Sequence, residues 1–338
     1  RIGGPDLSGT SDGTGAYQLD DVPPGSVFYV SAARANYRPS RNVEVRVAAS
    51  ADELGDALPG TDVLLLWDYF STALAGQFHR ADDLAWVHVA AAGVDSLLFD
   101  DLVDSDVVVT NARGVFDRPI AEFVLGFLLL HAKSLAAVLA DQRRRAWNRQ
   151  STSDLSGTRA LVVGTGAIGR EIARVLRALD VEVVGAGSHA RGGDPDFGTI
   201  IGSDELAAHV SGFDWIIDIA PLTERTERLF DASVFAAMDP HAFFVNVGRG
   251  ATVDTAALVD ALAAGSIAGA ALDVVDVEPL PADHPLWECE NVVISPHMSG
   301  DTHGWRQRLE DQFLELFALH RQGTPFPHTV DKKAGFVR

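Results

Sequence analysis

Residues 160–171 read ALVVGTGAIGRE: an apolar run, three spaced glycines and the start of a helix. Few local sequences restrict a chain so tightly. Gly164 permits a sharp turn at the end of a strand. Gly166 lets the main chain approach a pyrophosphate with no side chain in between, and Gly169 lets the helix pack closely on the strand. Ala167 and Ile168 complete the cofactor-binding turn, and from Arg170 onward the chain reads as a helix whose N-terminal N–H groups and dipole favour an anion. Ile172, Val175, Leu176 and Leu179 follow at helical spacing. Strand, glycine turn and helix in this order predict a dinucleotide-binding unit.

The surrounding chain alternates between strand and helix patterns. Before the turn, VEVRV, TDVLLLW, LAWVHVA and DVVVTN read as strands, and SADELGDAL and GVDSLLFDDL as helices. After it, VEVVGAG, DWIIDIA, AFFVNVG, AGAALDVV and VVISPH read as strands, with DELAAHV as a helix. Continuous apolar runs of this length mark strands buried on both faces, so the expected class is α/β with two doubly wound parallel sheets. Residues 118–145 are expected to form one long helix, with Pro119 in its first turn where a missing N–H costs little. Residues 305–321 are expected to form the last helix, with Leu309, Phe313, Leu316 and Phe317 on one face. The expected division is 1–42 as an atypical, irregular or β-rich leader, 43–153 plus 298–331 as a substrate domain, and 154–297 as the dinucleotide-binding domain.

The leader supports two readings. Gly15, Tyr17, Leu19, Val22, Pro23, Pro24, Gly25, Val30 and Tyr37 resemble part of a carboxypeptidase-regulatory-like β-sandwich repeat. Alternatively, residues 26–32 are the first strand of the sheet that follows.

A net charge of −20 argues against nucleic acid and against an anionic membrane surface as partners. The longest apolar run, FVLGFLLL at 123–130, is far short of the roughly 20 residues a membrane span needs. A single cysteine, Cys289, excludes a disulfide within these residues and a thiolate zinc cluster, and no metal site is expected. Nothing at the N-terminus reads as a signal peptide, and a cytoplasmic protein is expected.

Three chemistry-bearing residues stand at the ends of successive strand patterns. Arg249 closes AFFVNVGRG, Glu278 follows GAALDVVDVEP, and His297 closes NVVISPH. Strand C-termini of an open α/β sheet converge on its ligand crevice. A guanidinium there can clamp a carboxylate, and a histidine beside a carboxylate is a proton donor whose charged form is favoured. The nature of the dinucleotide depends on the strand VEVVGAG. An NAD site usually carries an acid at that strand's end, to hold the ribose hydroxyl. Here Gly187 is followed by Ser188, His189, Ala190 and Arg191, while Glu182 comes too early and Asp194 too late. With no repulsive carboxylate and with Ser188 and Arg191 as donors, NADP(H) is favoured over NAD(H).

The chain resembles the D-isomer-specific 2-hydroxyacid dehydrogenases from about residue 43 to 331. The motifs that carry the resemblance are HVAAAGVD, PIAEFVLGFLL, GTGAIG, APLTERT, NVGRG, ALDVVDVEPLP and SPHMSG. It implies a flavodoxin-like substrate domain beside a Rossmann domain, with Arg249, Glu278 and His297 as the catalytic trio. It also implies a nicotinamide carboxamide contact at Asp273 and a cofactor cleft lined by Pro221, Thr226, Val247 and Gly248. The main chain at Ala91, Ala92, Gly93 and Val94 would take the substrate carboxylate. The implied reaction is hydride transfer between a nicotinamide and a small 2-keto or D-2-hydroxy acid, run as a glyoxylate or hydroxypyruvate type of reductase, in a homodimer. The alternative is a non-catalytic dinucleotide sensor on the same fold. Two departures from the family pattern stand out: Gly187 replaces the usual acid, and residues 1–42 replace the usual first strand and helix.

Overall fold

A computed structural model describes residues 27–31, 44–68 and 71–337. By contact density the chain divides into two units, residues 1–115 with 304–338, and residues 116–303.

The first unit holds a five-stranded sheet in the order β2-β1-β3-β4-β5. Its strands are β1 (Val27–Ser31), β2 (Glu44–Ala48), β3 (Val63–Leu66), β4 (Trp86–Val89) and β5 (Val108–Asn111). The last three are parallel, as their unbroken apolar runs predict, and every residue of β3 and β4 is buried. β1 differs from the all-parallel expectation. It lies antiparallel between β2 and β3, so residues 27–31 join this sheet, as one of the two readings of the leader has it. The other residues that carry the β-sandwich resemblance, Gly15 to Gly25 and Tyr37, lie outside the described residues.

Alternating side chains along β3 and β4 face opposite layers. Leu64, Leu66, Val87 and Val89 pack with Leu54 and Leu58 of the segment around helix Ala51–Ala57, which Ser50 caps by accepting from the Glu53 N–H. On the opposite face Trp86 stacks on Phe313 of helix Trp305–Arg321, the last helix, whose bounds match the expectation. His88 is fully buried there, with Nδ1 2.8 Å from the Thr110 hydroxyl, and burial pushes its imidazole down to about 3. The helix expected over 93–102 is shorter, Asp100–Asp104, with turns before it.

The second unit holds an eight-stranded sheet in the order β13-β12-β11-β10-β6-β7-β9-β8. These are β6 (Arg159–Val163), β7 (Glu182–Gly187), β8 (Arg191–Asp194), β9 (Gly198–Gly202), β10 (Trp215–Asp218), β11 (Phe243–Asn246), β12 (Gly269–Leu272) and β13 (Val292–Ile294). The sheet is parallel except for the terminal hairpin of β8 and β9, which the sequence patterns did not predict. Arg170 clamps that hairpin to helix Ala167–Arg177, binding both Asp194 oxygens at 2.8 and 2.9 Å and Asp196 at 2.7 Å.

The single helix expected over 118–145 is two, Asp117–Ala132 and Leu135–Arg144, bent by 61°. Apolar periodicity runs through the join. The main chain does not, because Ser134 has φ +51°, in the left-handed region. The first of the two helices groups with the second unit and not with the first, and Arg118 ties it to Glu171 of helix Ala167–Arg177 at 3.3 Å. Among the described residues no single helix is long and apolar enough to cross a membrane.

Candidate active site

The glycine turn has the local geometry its sequence calls for. β6 ends at Val163, and Gly164 turns with φ +110°. A Cβ on Gly164 would lie 2.5 Å from the Ile219 carbonyl oxygen, and one on Gly169 would lie 1.9 Å from the Gly164 oxygen. Both glycines are therefore set by backbone packing. Gly166 caps helix Ala167–Arg177 and is different, since a Cβ there meets nothing within 4 Å. An open main chain at a helix N-terminus, beside two tightly packed glycines, fits the pyrophosphate of a dinucleotide.

β7 runs parallel to β6 with Ala186 opposite Val163, and the Gly164 N–H donates to the Ala186 oxygen at 2.9 Å. Gly187 and the residues after it therefore stand beside the glycine turn. Ser188 Oγ is 2.9 Å from His189 Nδ1. Arg191 begins β8 with its side chain 45% exposed, and its guanidinium is 3.3 Å from Asp194. Asp194 itself is buried and turned toward Arg170, whose hydrogen bonds hold its carboxyl well below the usual carboxylate range. Asp194 thus binds Arg170 through both oxygens and Arg191 through one of them, and no acid stands among residues 187–191 at the end of β7.

The other side of the turn is built by the ends of β10 and β11. The Thr226 hydroxyl donates to the Pro221 oxygen at 2.6 Å and accepts from the Thr223 N–H, which folds residues 221–226 into a fixed loop. Val247 is buried. Gly248 passes so close to the β10 exit that a Cβ would lie 3.0 Å from the Ala220 oxygen.

β11, β12 and β13 are in register, with Asn246 opposite Leu272 and Leu272 opposite Ile294. Arg249, Glu278 and His297 follow at their three exits. Asn246 fixes the first exit by accepting from the Gly248 N–H and donating to the Arg249 oxygen at 3.0 Å. Gly250 presses against the second, since a Cβ on it would lie 1.9 Å from the Val275 carbonyl carbon. His297 Nδ1 is 2.8 Å from Glu278 Oε2, with the two side chains 25% and 30% exposed. The Val275 N–H donates to the other Glu278 oxygen at 3.2 Å, which holds the carboxylate in place.

His297 has φ +50°, a backbone conformation seldom adopted by a residue with a Cβ. Asp273 imposes it. The Asp273 main-chain oxygen accepts from the His297 N–H at 2.8 Å, and its carboxylate accepts from the Ser295 hydroxyl and from the N–H groups of Met298 and Ser299. The structure thus shows the Asp273 carboxylate organising the histidine's loop, a role the sequence does not announce.

Ala91, Ala92, Gly93 and Val94 belong to the first unit and follow β4. Their loop is pinned by Ala112 N–H donating to the Ala91 oxygen at 2.9 Å and by Asn111 Nδ2 donating to the Ala92 oxygen. Sequence reasoning missed Asn111, Asn246, Ser295, Asp218 and Thr252. One signal was available for Asp218, a lone carboxylate inside the apolar run WIIDIA.

The family model for the NAD binding domain of D-isomer specific 2-hydroxyacid dehydrogenases matches residues 125–299. A glyoxylate reductase of Thermofilum pendens is 31% identical over 267 residues, covering 76% of this chain and 78% of the relative. A D-isomer specific 2-hydroxyacid dehydrogenase of Xanthobacter autotrophicus, solved with NADPH and MES, superposes with a TM-score of 0.72 at 30% identity, over 86% of this chain and 88% of that one. An NADPH-dependent glyoxylate/hydroxypyruvate reductase of Sinorhizobium meliloti, solved with NADP and sulfate, gives a TM-score of 0.72 at 27% identity, over 82% and 87%.

Proposed function

The chain belongs to the D-isomer specific 2-hydroxyacid dehydrogenase family, and from that premise we propose that it works as an NADPH-preferring reductase of small 2-keto acids such as glyoxylate and hydroxypyruvate. It is an oxidoreductase with a nicotinamide cofactor. The observation that carries the reading of the site is the 2.8 Å pair of His297 Nδ1 and Glu278 Oε2, at strand exits adjacent to that of Arg249.

When bound, the nicotinamide supplies the hydride. The residues of the chain do the rest. Arg249 holds the 2-keto acid and stabilises negative charge developing on its carbonyl oxygen. The N–H groups of Ala92, Gly93 and Val94 are read as donors to the substrate carboxylate. His297 gives the carbonyl oxygen a proton from Nε2, while Glu278 accepts the Nδ1–H, fixing the tautomer and the orientation of the ring. The preference for NADPH rests on Gly187 at the end of β7, with Ser188 and Arg191 after it as donors to a 2′-phosphate. A homodimer is part of the proposal, supported by an exposed apolar surface. Leu135, Val138 and Leu139 are 43%, 45% and 51% exposed, and Trp147 is 95% exposed.

The test is steady-state reduction of glyoxylate, hydroxypyruvate and phenylpyruvate with NADPH and with NADH. Turnover is expected with NADPH first, with reduction falling as pH rises because the reaction takes up a proton and oxidation showing the opposite trend. His297→Ala should lower kcat by at least ~100-fold, the scale of general acid catalysis. No turnover with any pair would sink the reductase reading and leave a dinucleotide sensor. Equal use of NADH would remove the cofactor preference alone.

A further inference from the structure

Asp218 ends β10, between Val163 on β6 and Asn246 on β11, and its side chain is completely buried. It lies between the two glycine-lined turns of the site, and nothing in the proposed reaction uses it. One carboxyl oxygen accepts from the Ala220 N–H at 2.9 Å. The other is 2.5 Å from the hydroxyl of Thr252, which is equally buried. That same hydroxyl is 2.6 Å from the Arg249 carbonyl oxygen.

Counting protons decides the state of this chain. A threonine hydroxyl has one hydrogen to donate, and here it has two oxygens at contact distance. With an ionised carboxylate, one of the two short oxygen–oxygen contacts would contain no hydrogen. With a carboxylic acid both are hydrogen bonds: Asp218 donates to Thr252 Oγ1, and Thr252 donates to the Arg249 oxygen. We propose that Asp218 is a positioning residue for Arg249, carrying a proton that completes the Asp218–Thr252–Arg249 chain and so fixes the turn from which the guanidinium projects. The proposal rests on the reading of Arg249 as the residue that holds the substrate.

Burial pushes the Asp218 carboxyl up to about 7, against the opposing bonds from Thr252 and the Ala220 N–H. No charged side chain is among the causes of that rise. Arg249 is the charged residue tied to the network, and it enters through its carbonyl, its Nη1 donating to the Gly248 oxygen at 2.9 Å. As pH rises through about 7 the acid loses the donor that engages Thr252. The Thr252 hydroxyl then turns to the carboxylate, and the Arg249 carbonyl loses that bond. The KM for the keto acid should therefore rise across that range in the wild-type enzyme.

Asp218→Asn separates this from a merely structural role, because its amide both donates to Thr252 and accepts from Ala220 without titrating. The expected result is a KM that stays near the wild-type value at about pH 6 and no longer rises by about pH 8, while kcat keeps its wild-type pH dependence. Thr252→Val should raise KM on the order of tenfold with cofactor Kd unchanged, and Thr252→Ser should restore it, which tells loss of the hydroxyl from loss of folding. The infrared spectrum at about pH 6 should contain a protonated carboxylic acid band that Asp218→Asn removes. Absence of that band overturns the proposal. So does a wild-type KM in Thr252→Val when Arg249→Gln raises KM, or an unaltered KM–pH curve in Asp218→Asn. A wild-type KM in Arg249→Gln itself sinks the reading of Arg249, and the proposal with it.

Discussion

Two glycines of one turn are present for opposite reasons, and substitution should separate them. Alanine at 169 would place a methyl group 1.9 Å from the Gly164 oxygen, so main chain must move. Gly169→Ala should cost about 1–3 kcal/mol, read as a lower Tm. Alanine at 166 meets only open space in the protein. Gly166→Ala should leave Tm nearly unchanged and instead raise the Kd for NADPH about tenfold in a fluorescence titration. Wild-type affinity in that variant would rule out Gly166 as the point of phosphate approach. At this scale the sequence is most legible where chemistry restricts residue type. The three glycines, Arg249, Glu278 and His297 could be picked out because strand ends of an α/β sheet are where such groups act. Asp218 and Thr252 could not be paired, because they are 34 positions apart and meet only through the order of the strands. The loop-organising role of Asp273 was hidden for the same reason, its partners lying 22 to 26 positions on.

At the scale of elements, a strand buried on both faces betrays itself as an unbroken apolar run. β3, β4, β10 and β11 were readable on that ground, each buried at every position. The terminal hairpin was not. Its segments RGGD and GTIIG carry neither alternation nor a long apolar run, and the ion pair from Arg170 that ties it to the helix is nonlocal. The break after Ala132 was hidden differently, because a serine in the left-handed region leaves no trace in apolar spacing. It does leave an energetic one. Ser134 at φ +51° is strained where glycine would not be, so Ser134→Gly should stabilise the second unit by about 1 kcal/mol. Thermal unfolding measures this, and a lower Tm would mean that the bend is held by something other than main-chain conformation.

At the scale of the whole molecule, the two units carry buried titratable groups of opposite tendency. In the first, His88 is pushed down to about 3, so the folded state binds fewer protons than the unfolded one, and its stability is lost as pH falls from about 6.5 toward 3. In the second, Asp218 is pushed up to about 7, so the folded state binds more, and its stability is lost as pH rises from about 4 through 7. Each effect is on the order of 4 kcal/mol across its range. Hydrogen exchange followed strand by strand should show β3 to β5 opening more easily toward acid and β10 and β11 more easily toward neutral pH. His88→Asn should flatten the first response and Asp218→Asn the second. Parallel responses in both sheets would contradict the assignment.

The C-terminal tail carries a last consequence. Val330 is buried in the first unit and its N–H donates to the Val109 oxygen at 2.8 Å. Two residues on, the Lys332 ammonium donates to the main-chain oxygens of Leu102, Ser105 and Val107 at 2.8, 2.6 and 3.0 Å. Three carbonyls converging on one point form a cation seat, and the chain fills it with a charge borne on its own side chain. The edge of the sheet thus depends on a residue more than two hundred positions away in the sequence. A chain cut short before Lys332 would stand where a metalloprotein stands after chelation, its three carbonyl oxygens left without the cation that gathers them.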